Sequence, residues 1–223
     1  MSSPEWNRFI DNFFDDPYTM WHDGIDEKSV THLSGAERKK AEDMLIASLE
    51  EGNHYAAIGL RELRSTRALN NLERLLPLST GSLRIEIAVA LCLIKNSIEA
   101  VSCIIDVLKN SAFWSYRMDA ARALRRFPNE EVVEALFEAV AEDPDYLVRN
   151  HASETLLFLH GMTPRIADRK DIFRHVIVEF RKEDKDSVDS AFSHYKKSAD
   201  MLRALIEEEG KLREGIIVEG IWE

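Results

Sequence analysis

Four stretches of the chain repeat one spacing of apolar side chains. NHYAAIGLREL (53–63), RIEIAVALCLI (84–94), RMDAARALRRF (117–127) and RNHASETLLFL (149–159) begin 31, 33 and 32 residues apart. In each, the fourth, eighth and eleventh positions are small or apolar: Ala56, Leu60 and Leu63; Ile87, Leu91 and Ile94; Ala120, Leu124 and Phe127; Ala152, Leu156 and Leu159. Steps of four and three put these positions on one helical face, and a small fourth residue lets a neighbouring helix approach. Self-similarity at such a period marks a stack of supersecondary units.

A second amphipathic helix precedes each stretch. Ser34 followed by Glu37 has the form of a capping box opening a helix through Ala41, Leu45 and Leu49, which Gly52 ends. Thr66, Ser97 and Asn129 stand where they can cap helices built on Leu69, Leu72 and Leu76, on Val101, Ile104, Ile105 and Leu108, and on Val133, Leu136, Phe137 and Val140. Paired helices with short turns are helical hairpins; one alone cannot bury its apolar face, whereas a stack makes a continuous core. The expectation is an all-α, HEAT-like α-α superhelix of four to five hairpins forming a single domain over 1–223, with residues 1–33 as N-terminal cap and 161–223 as a degenerate C-terminal repeat and tail.

The pattern resembles the short, bilin-lyase-type HEAT repeat. The resemblance rests on the Arg-x-x-Ala-x-x-x-Leu frames at Arg84–Leu91 (with Ile87 for Ala), Arg117–Leu124 and Arg149–Leu156, and on AEDPDYLVRNHASETL (141–156), over about residues 35–160. It implies that Arg84, Arg117 and Arg149 form a polar ladder along the stack, incomplete where Asn53 replaces the first Arg.

At the N-terminus, Trp6, Phe9, Ile10, Phe13 and Phe14 form a helical stripe suited to an end cap, followed by a loop from Tyr18 to Asp26. Beyond Gly161, Ile172 to Phe180 form an amphipathic stripe in which HVIVEF (175–180) leaves a strand open. A long helix then runs from Val188 to Ile206. The apolar tail IIVEGIW (216–222) is a short strand, a docked tail or a partner contact.

Charge narrows the function. The 223 residues carry 29 Lys and Arg against 40 Asp and Glu, a net −11. Residues 1–112 hold 12 basic and 17 acidic side chains and residues 113–223 hold 17 and 23, so neither half hides a basic groove. Nucleic-acid binding needs clustered cations, so nucleic acid is not the expected partner. An acidic surface instead steers basic proteins. No run of 18 apolar residues and no secretory leader pattern is present, and Cys92 and Cys103 lie in apolar runs as buried thiols; a cytoplasmic location is expected.

No chemistry-bearing motif emerges. There is no HExxH, no phosphate loop and no nucleophile elbow, no His is followed by Glu, and no cofactor or metal site is expected. If positions four, eight and eleven are buried, the second helices leave free Glu86, Asp119 and His151 at position three, Val89, Arg122 and Glu154 at position six, and Leu93, Arg126 and Phe158 at position ten. With Phe113, Trp114 and Tyr116 at its rim, this strip suits a protein interface better than a small-molecule pocket. The stripe Glu131, Glu134, Glu138 and Glu142 is expected to solvate an outer face. Small acidic helical-repeat proteins of this kind resemble bacterial immunity proteins that block basic toxin domains. The bilin-lyase resemblance implies instead an adaptor for a cofactor-bearing protein. Trp114, Tyr116 and Asp119 partly imitate the site of HEAT-like DNA glycosylases, against which the charge speaks.

Overall fold

Six α-helix starts are capped by side chains, Ser3, Asp16, Asn53, Asn129, Asp145 and Asp184 each accepting from a free N–H group of the first turn. A computed structural model describes residues 2–218, and every regular element among them is helical. The chain divides into two compact units, Met1–Ala100 and Val101–Glu223.

In the first unit, α1 (Pro4–Phe13) is capped by Ser3, whose hydroxyl accepts from the Trp6 N–H at 3.0 Å, and it buries Trp6, Phe9 and Phe13. The aromatic stripe thus forms a helix, with three of its rings in the core. The expected loop from Tyr18 is instead a second helix, α2 (Pro17–Asp23): Asp16 accepts from the Thr19 N–H at 3.1 Å, Pro17 supplies a preset φ at the first position, and Gly24 at φ +76° ends it. A 3₁₀ turn (Glu27–His32) leads to the first hairpin, α3 (Gly35–Glu50) with α4 (His54–Glu62); the second is α5 (Leu69–Leu75) with α6 (Gly81–Lys95). The Ser34 capping box does not form, since Ser34 makes no side-chain cap bond. Glu37 instead accepts from the Ser3 N–H at 3.0 Å and from its hydroxyl at 2.6 Å, tying the N-terminal cap to α3. In α4 a Cβ at Gly59 would lie 2.9 Å from Leu45 Cδ1 and 3.0 Å from Phe13 Cε1, so the missing side chain lets α1 and α3 close on it.

The second unit holds α7 (Val101–Asn110) with α8 (Trp114–Ala123), which runs on through a 3₁₀ turn at Leu124–Arg126, and α9 (Glu130–Glu142) with α10 (Tyr146–Leu159). Asn129 caps α9 by accepting from the Val132 N–H at 3.0 Å, as its position predicts. Ser97 does not cap a helix directly: it accepts from the Glu99 N–H at 3.2 Å, and α7 begins at Val101. The frame positions point inward. Leu60, Leu91, Leu124 and Leu156 are all buried, as are Ala56, Ile87, Ala120 and Ala152.

Arg117 and Arg149 repeat one geometry within this unit. Each donates through Nη1 to the carbonyl six residues earlier, Arg117 to Ser111 at 2.9 Å and Arg149 to Asp143 at 2.7 Å. Each also reaches the next turn along the chain. Arg117 forks onto the Asp143 carboxylate (2.6 and 3.0 Å), while Arg149 donates to the Val176 and Val178 carbonyls (2.8 and 2.9 Å) with its guanidinium 3.6 Å from the Tyr195 ring centre. The planar fork bonds two turns at once, which a lysine cannot do.

Beyond Gly161, where a degenerate repeat is expected, the chain forms two α-helices of unequal length. After α11 (Lys170–Val176), the long α12 (Lys185–Glu209) packs against α9, a first helix of its hairpin, while α11 lies against α10 and α12. Arg203 on α12 stacks 4.0 Å from the Phe137 ring centre and forks onto Glu134 at 2.8 and 2.9 Å, and Lys109 pairs with Glu138. Two members of the acidic stripe are thus bridged rather than only solvated. HVIVEF forms no strand: α11 ends at Val176, and the carbonyls a strand would offer are taken by Arg149 and by the Tyr195 hydroxyl, 2.8 Å from Val178 O. Residues 211–218 follow as a docked tail. Residues 219–222 of the apolar tail lie outside the described residues.

Candidate protein-interaction surface

The second helices α4, α6, α8 and α10 carry the residues that the frame leaves for a partner. In the first unit, α6 is apolar from Ile85 to Leu93 except at Glu86, so its burial extends well beyond three frame positions. Val89 and Leu93 are accordingly buried, a correction to their expected exposure. Glu86 stays partly exposed and accepts from Arg61 Nη1 at 2.8 Å.

That arginine is a hub which sequence reasoning passed over. Arg61 is buried on α4 and bonds Glu27, Glu62 and Glu86, while Lys28 reaches Glu62 at 2.6 Å. Burial works against its charge, but Glu86, Glu27 and Glu62 outweigh that and raise its pKa. For Glu62 burial is likewise the largest influence, and Lys28 with Arg61 still pulls its pKa below the ordinary carboxylate value. Arg61 stands at the ninth frame position, as does buried Arg125. The faint signal in the sequence was a cation on a face otherwise apolar.

In the second unit, Trp114, Tyr116, Asp119 and Arg122 share α8. Trp114 is 44% exposed at the first helical position, and Tyr116 packs edge-on to Phe113 with ring centres 5.6 Å apart. Asp119 and Arg122 are partly exposed and lie 4.0 Å apart. On α10, which packs on α8 and is tied to it by the Thr155 hydroxyl donating to Ala121 O at 3.0 Å, Glu154 lies 3.5 Å from His151 and 3.7 Å from Arg125. Burial pulls Arg125 below the usual guanidinium pKa, the nearby Glu154 opposes this, and Arg122 adds to it. Glu154 is therefore the counter-charge of a buried cation as well as a surface residue. Tyr146, 42% exposed, occupies the register of Trp114, three residues before the frame arginine; the repeat itself could have flagged it.

Arg126 and Phe158 are the remaining corrections. Both are buried, because the chain's own tail crosses them: Arg126 Nη1 donates to Val218 O at 3.1 Å, and the Arg213 guanidinium sits 4.5 Å from the Phe158 ring centre. The surface left open in this unit thus comprises Trp114, Tyr116, Asp119 and Arg122 on α8 with His151 and Glu154 on α10. It joins exposed Trp114 and half-buried Tyr116 to paired charges. Among the described residues no group of three or more His, Cys, Asp or Glu is placed to hold a metal ion, and no helix is long and apolar enough to cross a membrane.

Residues 101–168, which span the hairpins α7–α8 and α9–α10, match the family model for HEAT repeats. HEAT repeats generally serve as protein-interaction scaffolds, and the family is typically non-enzymatic. No curated protein and no solved structure matches the chain.

Proposed function

We propose that this chain is a protein-binding HEAT-repeat module whose partner is a basic protein, and specifically that it acts as an immunity protein occluding a basic toxin domain. The observation that carries the reading is the face of α8 and α10 in the second unit. Two helices packed on one another there present an exposed Trp114 beside Tyr116, with Asp119 and Glu154 among the flanking charges. Aromatic anchors with a charged surround are what protein interfaces use for affinity and for steering, and the net −11 favours a cationic partner. HEAT repeats over residues 101–168 support the scaffold role.

Calorimetric titration against the purified product of the adjacent gene tests this. Binding in the micromolar range or tighter by a basic protein, weakening as salt rises, is the expected result. Absence of binding, or a partner of acidic charge whose affinity ignores salt, would overturn it. A chromophore-bearing partner would point to the adaptor role instead.

A further inference from the structure

The C-terminal ends of α8 and α10 need donors. The last carbonyls of a helix have no partner within it and carry the negative end of the helix dipole. Here the tail supplies them. The Lys211 N–H donates to His160 O at 3.0 Å, the Arg213 N–H to Leu159 O at 2.8 Å, and the Ile217 N–H to Arg126 O at 2.8 Å. Arg213 Nε adds a bond to Phe158 O at 2.8 Å, with its guanidinium over the Phe158 ring, and Arg126 returns a bond to Val218 O. The first unit meets the same need differently: side chains Arg38 and Arg64 donate to Leu63 O and Leu93 O.

The tail holds on through these bonds and little else. Lys211, Arg213, Glu214, Gly215 and Val218 are exposed, and Leu212, Ile216 and Ile217 are only half-buried. Such a segment, poor in buried apolar surface, detaches at a small fraction of the free energy of global unfolding. Its grip depends on backbone N–H groups and one guanidinium, which any extended arginine-bearing peptide can offer.

We propose that the carbonyl row at the ends of α8 and α10, with the Phe158 ring, is a docking site for an extended, arginine-bearing segment of a partner protein, and that residues 211–218 occupy it until displaced. This rests on the protein-binding reading above and names a second part of the partner that the chain grips.

A ten-residue peptide with the sequence of residues 209–218 and a version with alanine for its arginine test the site against the full chain by amide NMR. The arginine peptide shifts the amides of residues 126 and 158–160 and drives those of 211, 213 and 217 towards their unstructured positions; the alanine peptide binds about tenfold more weakly. An Arg213→Ala/Ile217→Pro variant, whose tail competes poorly, binds the arginine peptide about tenfold more tightly than the unaltered chain. Absence of shifts in the unaltered chain at saturating peptide, equal binding of the two peptides, or no gain in a folded variant overturns the proposal. The unaltered chain decides on its own if the variant fails to fold. A chain that binds a basic protein but ignores the peptide keeps the proposed function and loses this site; one that takes the peptide but no basic protein does the reverse.

Discussion

Arg149 is the residue whose replacement tests the packing argument most sharply. Its side chain is fully buried and faces three carbonyls and one ring. Burial pulls its pKa below the usual guanidinium value, while Tyr195, Asp143, Asp145 and Glu179 pull it back up. Replacement by methionine keeps most of the volume and removes every donor. Val178 O retains the Tyr195 hydroxyl, but Val176 O and Asp143 O lose the donor that Arg149 gave them, at about 1–3 kcal/mol each. A desolvated cation–π contact adds about 2 kcal/mol, and relief from burying a charge offsets several kcal/mol of the total. The expected net loss for Arg149→Met is about 2–4 kcal/mol. Arg149→Lys keeps the charge but not the fork and loses at least about 2 kcal/mol. Urea denaturation measures both, and hydrogen exchange over residues 170–180 reports whether the loss concentrates where Arg149 grips α11. A loss below about 0.5 kcal/mol in both variants would mean that the Arg149 fork does not hold α11 in place.

Other consequences follow from the same geometry. Leu124→Ala, at a fully buried frame position, costs about 2–5 kcal/mol by denaturant titration; a loss under about 1 kcal/mol would contradict the inward frame. Glu154→Lys sets a cation against buried Arg125 and lowers the melting temperature, whereas Glu154→Gln is milder; equal melting of the two would remove the counter-charge role. Asp119→Lys leaves melting nearly unchanged and weakens basic-partner binding by about 1 kcal/mol or more in calorimetry; unaltered affinity would move the site off α8. Below neutral pH, stability falls. The His175 pKa is depressed by burial first, then by Lys197, His194 and Arg174 against Asp171, and that of His54 by burial. A depressed folded pKa gives stability that is present above about 6.5 and is lost as pH falls through the folded value. Lowered carboxylates such as Glu62 act only below about 4.5, so urea midpoints between pH 7.5 and 5.5 isolate the histidines. His175→Gln should flatten that slope; an identical slope would assign it elsewhere.

The helical hairpins were legible because burial imposed one spacing on four helices, and Leu60, Leu91, Leu124 and Leu156 lie where that spacing puts them. Outward positions were less legible, because exposure depends on what else the chain brings to a face. Val89 and Leu93 sit on a helix apolar on nearly every side, and no three-position frame can tell which side of such a helix is wet. Phe158 and Arg126 are buried by residues 55 and 92 positions further along, a separation at which no local periodicity carries information. The Ser34 capping box failed for the same reason: Glu37 was taken by Ser3, from a distant segment.

Hydrogen exchange of the full chain with and without the proposed basic partner tests whether α8 and α10 form the interface. Binding is expected to add protection over residues 113–126 and 146–160, the helices α8 and α10 with their ends. Protection confined to α9 and α12, or to residues 1–100, would contradict that interface.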